Sequence, residues 1–121
     1  MTLHKLTTIN DLITQLRSTP DSIEFASVMQ VISQFYTYTP TDFSNGPLLN
    51  AAGSNEGSCK IFYFAQLHEL TELETLTLFG NFYRNDVLAN PAGTDHGNIR
   101  NFILTGWSGV KFDGLALTRL S

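Results

Sequence analysis

The segment from residue 20 to residue 36 is apolar around nearly its whole helical circumference. At helical spacing its polar side chains form only a narrow stripe, made of Glu24, Ser27, Gln30 and Gln34. A helix with so little polar surface must pack against other elements on most of its sides. Thr19 can cap this helix, and Pro20 suits its first position. We therefore predict a central helix over about residues 20–36, which the rest of the chain must surround.

Four further helices are predicted from capping signals and apolar spacing. The first covers about residues 9–18, with Thr8 placed to cap it. Two more follow in close succession, one over about residues 57–69 and one after the capping box Thr71-Glu72-Leu73-Glu74. The last covers the stretch NIRNFILTG and stops at its final glycine.

Gly80 lies on the apolar stripe that follows the second capping box, between Phe79 and Tyr83. A glycine inside a helix costs roughly 1 kcal/mol relative to alanine. Such a residue is typical of a place where another backbone approaches closely. The predicted fourth helix is therefore expected to contact another element at this point.

Two regions predict β-structure. Between residues 37 and 57, Pro40 restricts any strand to an edge and Ser44-Asn45-Gly46-Pro47 has turn chemistry, which indicates a short strand, a turn and a long loop. Near the C-terminus, VKFDGLALT alternates around Asp113-Gly114, a hairpin signal. We expect this ribbon to pair with residues 36–41. The prediction is a mainly helical α+β fold.

Composition narrows the fold and the partners. The chain has 121 residues, 42% hydrophobic and 15% charged, which predicts one compact domain over residues 1–121. The patterns described above give this domain about five helices and a small antiparallel ribbon. Its seven Lys and Arg are scattered singly against eleven Asp and Glu, giving a net charge of −4. Because phosphate binding needs several cations on one face, no nucleic-acid partner is expected.

The sequence shows no membrane-spanning run, no secretory signal and no cysteine pair, and these three observations bear on where the protein is found. Its apolar runs are far shorter than the roughly 20 residues that cross a bilayer, so no membrane partner is expected. The start MTLHKLTTIND has no apolar stretch of the kind found in a secretory signal. A single cysteine gives no disulfide framework. We therefore expect a cytoplasmic protein without a cofactor.

Residues 53–60, GSNEGSCK, precede a predicted helix and contain three candidate ligand-binding residues, Asn55, Glu56 and Lys60. The spacing between Gly57 and Lys60 differs from that of a phosphate-binding loop. Unpaired amides at a helix start, with a lysine in the first turn, can nevertheless attract an anion. The alternative is a plain helix entry in which the glycines supply unusual dihedral angles.

The segment also raises the question of thiol chemistry. Cys59 in the first turn of a helix and beside Lys60 would have its thiolate favoured by the helix dipole and by the charge. Asp95 and His96 could supply the base, so Cys59, His96 and Asp95 are candidate catalytic residues of a thiol-dependent hydrolase. The alternative is core packing, because free cysteine is among the most buried residue types.

Polar residues are dense between residues 84 and 101. Arg84 and Arg100 are candidate ligand-binding residues there, with Trp107 as a wall of the cleft. The alternative is that these side chains fasten an irregular segment to the backbone. The histidines show no metal-ligand spacing, so a metal site would need His96, Asp95 and Asp86 to meet in space, and we predict none.

Four stretches carry a resemblance to a known family: YTPTDFSNGPLLN, NEGSCKIFYFAQLH, LFGNFYRNDVLANPAGTDHGNIRNFILTGWSGVKFDG and LALT. Together, over about residues 10–118, they resemble the HopJ type III effector protein family. The combination of NEGSCK, DHGNIRNF and GW is specific. The resemblance implies a small bacterial protein with no established enzymatic activity, substrate or catalytic residue.

Two functions follow. The family name implies secretion through a type III apparatus and action through contacts with a host or bacterial protein. Type III substrates usually begin with a disordered, serine-rich stretch, whereas residues 1–18 here predict a capped helix, so a resident cytoplasmic role is at least as plausible as secretion. The alternative is a small cytoplasmic enzyme or anion binder with a cleft between residues 53–60 and 84–101. That alternative requires the two glycine-punctuated segments to meet in the fold.

Overall fold

The computed structural model describes residues 8–120, and the predictions for residues 1–7 lie outside it. Between those limits there are five α-helices: α1 Ile9–Ser18, α2 Phe25–Phe35, α3 Glu56–Leu67, α4 Glu72–Thr77 and α5 Gly97–Thr105. A π-helical segment, Phe82–Val87, and 3-10 turns at Pro20–Ser22 and Gly106–Gly109 complete the helical part. The strands are β1 Tyr36–Tyr38, β2 Phe43–Asn45, β3 Leu48–Asn50, β4 Val110–Phe112 and β5 Leu117–Arg119. The predicted mainly helical α+β fold is confirmed.

The strands form two small antiparallel sheets. β1 pairs with β5, which places Tyr36 opposite Arg119 and confirms the predicted ribbon with residues 36–41. The other sheet has the order β3-β2-β4. The predicted hairpin at Asp113-Gly114 is wrong, because β4 and β5 pair with different strands. The chain crosses between the sheets here so that Ala116, which has no exposed surface, can enter the core.

The loop predicted before residue 57 contains a hairpin that the sequence did not reveal. β2 and β3 pair across the turn at Gly46, whose φ of +60° lies in the left-handed region that glycine adopts readily. The strands have only three residues each, too few for an alternating pattern. The predicted turn within residues 44–47 is present, whereas the predicted long loop after it is wrong over Leu48–Asn50, which form β3.

The central helix is α3 and not α2. Its buried residues are Cys59 and all five from Ile61 to Ala65, which therefore occupy every side of the helix. In α2, Ala26, Ser27 and Gln30 are exposed. The predicted helix over residues 20–36 is also interrupted, since Glu24 is extended and α2 begins at Phe25. This break lets Ile23 enter the core, where it is 1% exposed.

Gly80 makes the close approach that was predicted. Its φ is +61°, and a Cβ there would lie 2.8 Å from the backbone nitrogen of Phe25. The helix around it is nevertheless shorter than expected. α4 ends at Thr77 and the chain resumes as the π-helical segment, because the left-handed residue between them cannot continue an α-helix.

Both predicted capping boxes are present. At the start of α1, the Thr8 hydroxyl accepts from the Asp11 N–H and the Asp11 carboxylate accepts from the Thr8 N–H. Thr71 and Glu74 make the same reciprocal pair at the start of α4. Arg17 joins the two helices by donating to Glu74 at 2.8 Å. Among residues 8–120, no helix has the length and apolar character needed to span a membrane.

Candidate functional site

A cleft of about 530 Å³ lies between the start of α3 and the start of α5. Asn55, Gly57 and Ser58 line it on one side, and His96, Gly97 and Asn98 line it on the other. The two glycine-punctuated segments therefore meet in the fold, as their proposed shared role requires. Of the residues singled out from the sequence, Asn55 and His96 face this cleft.

The two helix starts at the cleft have the same unusual geometry. The N-cap residue of α3 is Asn55 with φ +51°, and that of α5 is His96 with φ +52°. Neither makes a side-chain hydrogen bond to the first turn of its helix. The first N–H groups of an α-helix have no partner within the helix, so these turns keep donors free for another group. The helix dipole adds partial positive charge at the same place.

A buried asparagine network fixes the two starts relative to each other. Asn50, at the end of β3, accepts from Asn55 at 2.7 Å and from Asn98 at 2.9 Å. The Asn98 side-chain oxygen accepts in turn from Asn45 at 3.1 Å and from Asn50 at 3.2 Å. Asn101 donates to the backbone oxygen of Asn45. The β2–β3 hairpin thus connects both walls of the cleft through amide groups that satisfy each other.

The remaining walls are apolar. Phe25 and Phe82 contact each other edge to face with their ring centroids 5.0 Å apart. Gly57 allows this arrangement, since a Cβ at that position would lie 2.7 Å from the Phe25 ring. The other apolar residues that line the cleft are Leu48, Leu49, Phe79 and Ile99. The cleft therefore combines free backbone donors with aromatic and aliphatic surface.

His96 is held by carboxylates at the edge of the cleft. Its Nε2 lies 2.9 Å from Asp86 Oδ2 and 3.8 Å from Asp95 Oδ2. Its ring packs against Phe82 with centroids 5.0 Å apart. The ligand atoms of the three polar side chains lie within 4.8 Å of one another, so the meeting that a metal site would require does occur. Asp95 is already bound to Arg100 at 2.6 Å, however, and this hydrogen bond lowers the pKa of the Asp95 carboxyl.

Cys59 is buried on the core side of α3, 1% exposed, and does not line the cleft. Its Sγ lies 3.9 Å from the Thr41 backbone oxygen. Burial raises the pKa of the thiol, which is the opposite of what an activated nucleophile requires. These features are those of a packing residue.

Arg100 fastens the irregular segment before α5. It donates to the backbone oxygens of Asp95 at 2.6 Å, Asn90 at 2.8 Å and Asp86 at 3.2 Å. Arg84 is similarly engaged, with Asn81 at 3.1 Å. Both guanidinium groups therefore donate hydrogen bonds that hold this part of the chain together.

The other sequence candidates also lie away from the cleft lining. The Lys60 ammonium group sits 4.7 Å from the centre of the Tyr38 ring, a cation–π contact. The Trp107 indole N–H donates to the Leu70 oxygen at 3.1 Å. Glu56, in the first turn of α3, is exposed and does not line the cleft.

Several lining residues were missed by sequence reasoning. The sequence places Phe25 on the apolar surface of the predicted central helix and does not distinguish Phe82, and Leu48 belongs to the unrecognised hairpin. Ser58 lines the cleft, and its hydroxyl makes no hydrogen bond with any residue between 8 and 120. A signal for part of this site existed, because Gly57 and Gly97 each lie in a polar segment and in the first turn of a helix.

The HopJ type III effector protein family matches residues 9–117. This chain belongs to that family. A solved crystal structure, that of the protein VPA0580, described as of unknown function, is 44% identical in sequence, with a TM-score of 0.93 over 99% of this chain and 100% of that one. No match was found among curated proteins. HopJ membership and the shared fold are therefore shown, whereas the chemistry must be argued from the cleft.

Proposed function

We propose that this HopJ-family protein binds a small organic anion with an apolar body in the cleft between α3 and α5. The observation that carries the proposal is that two helix starts without side-chain caps line one cavity. Free N–H groups and the dipole at a helix start favour negative charge. The aromatic walls favour an apolar body in the same ligand.

The size of the cleft fits this class of ligand. Its volume of about 530 Å³ falls within the range of small-molecule sites, roughly 300–1,000 Å³. Phe25 and Phe82 provide flat apolar surface, and Asn55 and Ser58 provide side-chain polar groups at the opposite wall. A ligand of one ring and one charged group can contact all of these walls.

The surrounding charges favour a single negative charge on the ligand. Glu56 stands in the first turn of α3, and Asp86 and Asp95 stand beside His96. Arg100 offsets only Asp95, to which it is bound at 2.6 Å, and the Lys60 ammonium group contacts the Tyr38 ring. Because like charges repel, a carboxylate is better suited to this site than a doubly charged phosphate.

A backbone amide NMR titration with 3-phenylpropionate tests the proposal. We expect the largest shifts at Gly57, Ser58, Gly97 and Asn98, whose residues line the cleft. The first turns of α1 and α4 should not respond, because their capping boxes already occupy the amides. Shifts spread over the surface, or none at millimolar ligand, would contradict the proposal.

A pair of glycine substitutions supplies the matched control. A Cβ at Gly97 would meet Leu48 at 3.7 Å, and one at Gly114 would meet Thr41 at 3.7 Å, both ordinary contacts. Gly97→Ala keeps the backbone N–H but places a methyl group in the space that the ligand would occupy, so it should weaken 3-phenylpropionate binding about tenfold. Gly114→Ala should leave the binding unchanged.

Family membership supports a second proposal, export as a type III effector that acts by contact with a host or bacterial protein. A fusion of residues 1–50 to a reporter should leave the cell only when the secretion apparatus is present. Retention of the reporter in both strains would contradict export and would leave the cleft proposal unaffected.

A further inference from the structure

We propose that the exposed crossing between the two sheets is a site of spontaneous covalent modification, at which Asp113 is converted to isoaspartate by the backbone nitrogen of Gly114. This modification is independent of the proposed function, because neither residue lines the cleft. It needs no reagent other than water, and it acts on the fold and not on a ligand.

The reaction has two steps that balance without any other reactant. The Gly114 nitrogen attacks the side-chain carboxyl carbon of Asp113, and a new C–N bond closes a succinimide ring. The carboxyl C–O bond breaks, and its oxygen leaves as water with the amide proton and the carboxyl proton. Water then opens the ring at either carbonyl carbon. Opening at the original backbone carbonyl leaves the chain connected through the former side chain, which is isoaspartate.

The attacking nitrogen is free in the folded protein. Asp113 and Gly114 are both exposed, and they lie between the end of β4 at Phe112 and the start of β5 at Leu117. The Asp113 N–H donates to the Asp42 oxygen at 3.0 Å, which holds the beginning of the crossing. The Gly114 N–H, in contrast, makes no hydrogen bond with any residue between 8 and 120. No bond therefore has to break before this nitrogen attacks.

The carboxyl group is equally accessible, and the surroundings leave space for the ring. Within residues 8–120 the Asp113 side chain has no hydrogen-bond or ion-pair partner. Glycine presents no side chain to hinder the approach to its nitrogen. A Cβ added at Gly114 would meet nothing closer than the Thr41 methyl group at 3.7 Å. Both reacting groups can therefore move towards each other without disturbing the core.

The 3-10 turn at Pro20–Ser22 provides a contrast within the same chain. Asp21 and Ser22 are also exposed, and a small residue again follows the aspartate. The Ser22 N–H, however, donates to the Thr19 oxygen at 2.9 Å. An attack by this nitrogen requires the turn to open first, so the fold should protect Asp21. Exposure alone is thus not what distinguishes Asp113.

Isoaspartate would affect the fold through Ala116. The product adds a carbon atom to the backbone of the crossing, which connects β4 to β5. Ala116 is fully buried at the end of this crossing, and its oxygen accepts from the Thr39 N–H at 2.8 Å. β5 follows directly and pairs with β1. A longer crossing shifts Ala116 in its site, so the pairing of β1 with β5 should loosen.

Ageing of the full chain, folded in buffer or unfolded in guanidinium chloride at the same neutral pH, tests the proposal. Mass spectrometry with electron-transfer fragmentation distinguishes isoaspartate from aspartate in the digested protein. We expect isoaspartate at Asp113 to form in the folded protein within about threefold of its rate in the unfolded chain. At Asp21 folding should slow the reaction at least about tenfold. Isoaspartate at Asp113 only in the unfolded chain, or equal protection of both sites, would overturn the proposal.

Two variants assign the chemistry to this pair of residues. Gly114→Ala adds a methyl group beside the attacking nitrogen and should slow the reaction about tenfold, equivalent to about 1.4 kcal/mol in the barrier. Asp113→Glu keeps the charge but requires a larger ring, so the modification at this position should be lost. Asn85→Ala, an exposed change elsewhere, should leave the rate unchanged. An unchanged rate in Gly114→Ala would overturn the assignment.

Hydrogen exchange on the aged protein tests the effect on the fold. In the fraction that contains isoaspartate, the Thr39 amide should exchange faster than in the unmodified fraction, because its acceptor belongs to Ala116. The amides of the first turn of α1, capped by Thr8, should exchange equally in both fractions. Equal exchange of Thr39 in the two fractions would overturn the inferred loosening of the β1–β5 pair.

Discussion

Helices α1 and α4 begin differently from helices α3 and α5. The first two start with reciprocal capping boxes, Thr8 with Asp11 and Thr71 with Glu74, so neighbouring side chains occupy their amides. The other two start from a left-handed residue, and no side chain caps their first turns. The capped starts lie away from the cleft lining, whereas the uncapped starts form it. Local capping thus marks a structural helix start here, and its absence marks the candidate site.

The uncapped helix starts are held in place by tertiary hydrogen bonds and not by local ones. Asn50 and Asn98 connect them through side-chain hydrogen bonds between residues 48 positions apart in sequence. A capped start depends on residues three positions apart. The two kinds of helix start should therefore respond differently to substitution.

The largest effect is expected from Asn98→Ala. Asn98 is 7% exposed, and removal of its side chain leaves the buried Asn50 amide N–H group without its acceptor, whereas Asn45 keeps its bond to the Asn98 backbone oxygen. We expect the free energy of unfolding to fall by about 2–4 kcal/mol. Urea denaturation measures it. Asn85→Ala, which removes only an exposed bond to Asn81, is the control and should change stability by less than about 0.5 kcal/mol. Equal costs would remove the distinction between tertiary and local support.

Glu74→Ala should follow, since it removes both the capping box of α4 and the ion pair with Arg17. The expected loss at neutral pH is about 1–2 kcal/mol. The hydrogen bond from Arg17 lowers the pKa of Glu74 below its usual value of 4.5, so the folded state favours the ionised form. The difference between wild type and variant should therefore persist above pH 4.5 and shrink as the pH falls through the lowered pKa. A difference that grows on acidification would contradict this linkage.

Deleting one hydroxyl at each kind of helix start gives a direct comparison. Thr71→Ala removes a cap and should cost about 1 kcal/mol. Ser58→Ala, at the uncapped start of α3, removes a hydroxyl that makes no hydrogen bond with residues 8–120 and should cost less than about 0.5 kcal/mol. Thermal unfolding of both variants measures the difference. A larger cost at Ser58 would mean that α3 is capped after all.

Gly97→Ala should have the smallest effect on stability. The new methyl group makes only an ordinary contact with Leu48 at 3.7 Å, so we expect the free energy of unfolding to stay within about 0.5 kcal/mol of wild type, in either direction. Denaturation of this variant beside Gly114→Ala checks the point. Unfolding of Gly97→Ala alone would mean that the open space at the start of α5 is needed for folding and not for a ligand.

The parts of the fold that depend on neighbours in sequence could be predicted. Both capping boxes, the bounds of α1 and the close backbone contact at Gly80 follow from local spacing. The pairing of β1 with residues near the C-terminus also followed, from apolar alternation at both ends. These signals are short in range and each has a physical cause in the sequence.

The predictions that failed concern parts of the fold in which contacts between residues distant in sequence override the local preference. Asp113-Gly114 has hairpin chemistry, but burial of Ala116 directs the chain from one sheet to the other. The break at Glu24 is imposed by Ile23 entering the core beside Gly80. In the site, the meeting of the segments around Asn55 and His96 was anticipated. The sequence did not predict that Phe25 and Phe82 form its walls, because apolar residues that face a core and those that face a cleft have the same spacing.

The turn of the β2–β3 hairpin has a chemical consequence. In an Asn-Gly sequence the glycine nitrogen can attack the asparagine side chain and release ammonia, which ages many proteins. Here the Asn45 amide is fully buried and donates to Asn98, while the Gly46 N–H donates to the Gly109 oxygen at 2.9 Å. Both reacting groups are thus restrained while the hairpin is closed. The rate of deamidation at Asn45 should therefore report how often the β2–β3 hairpin opens.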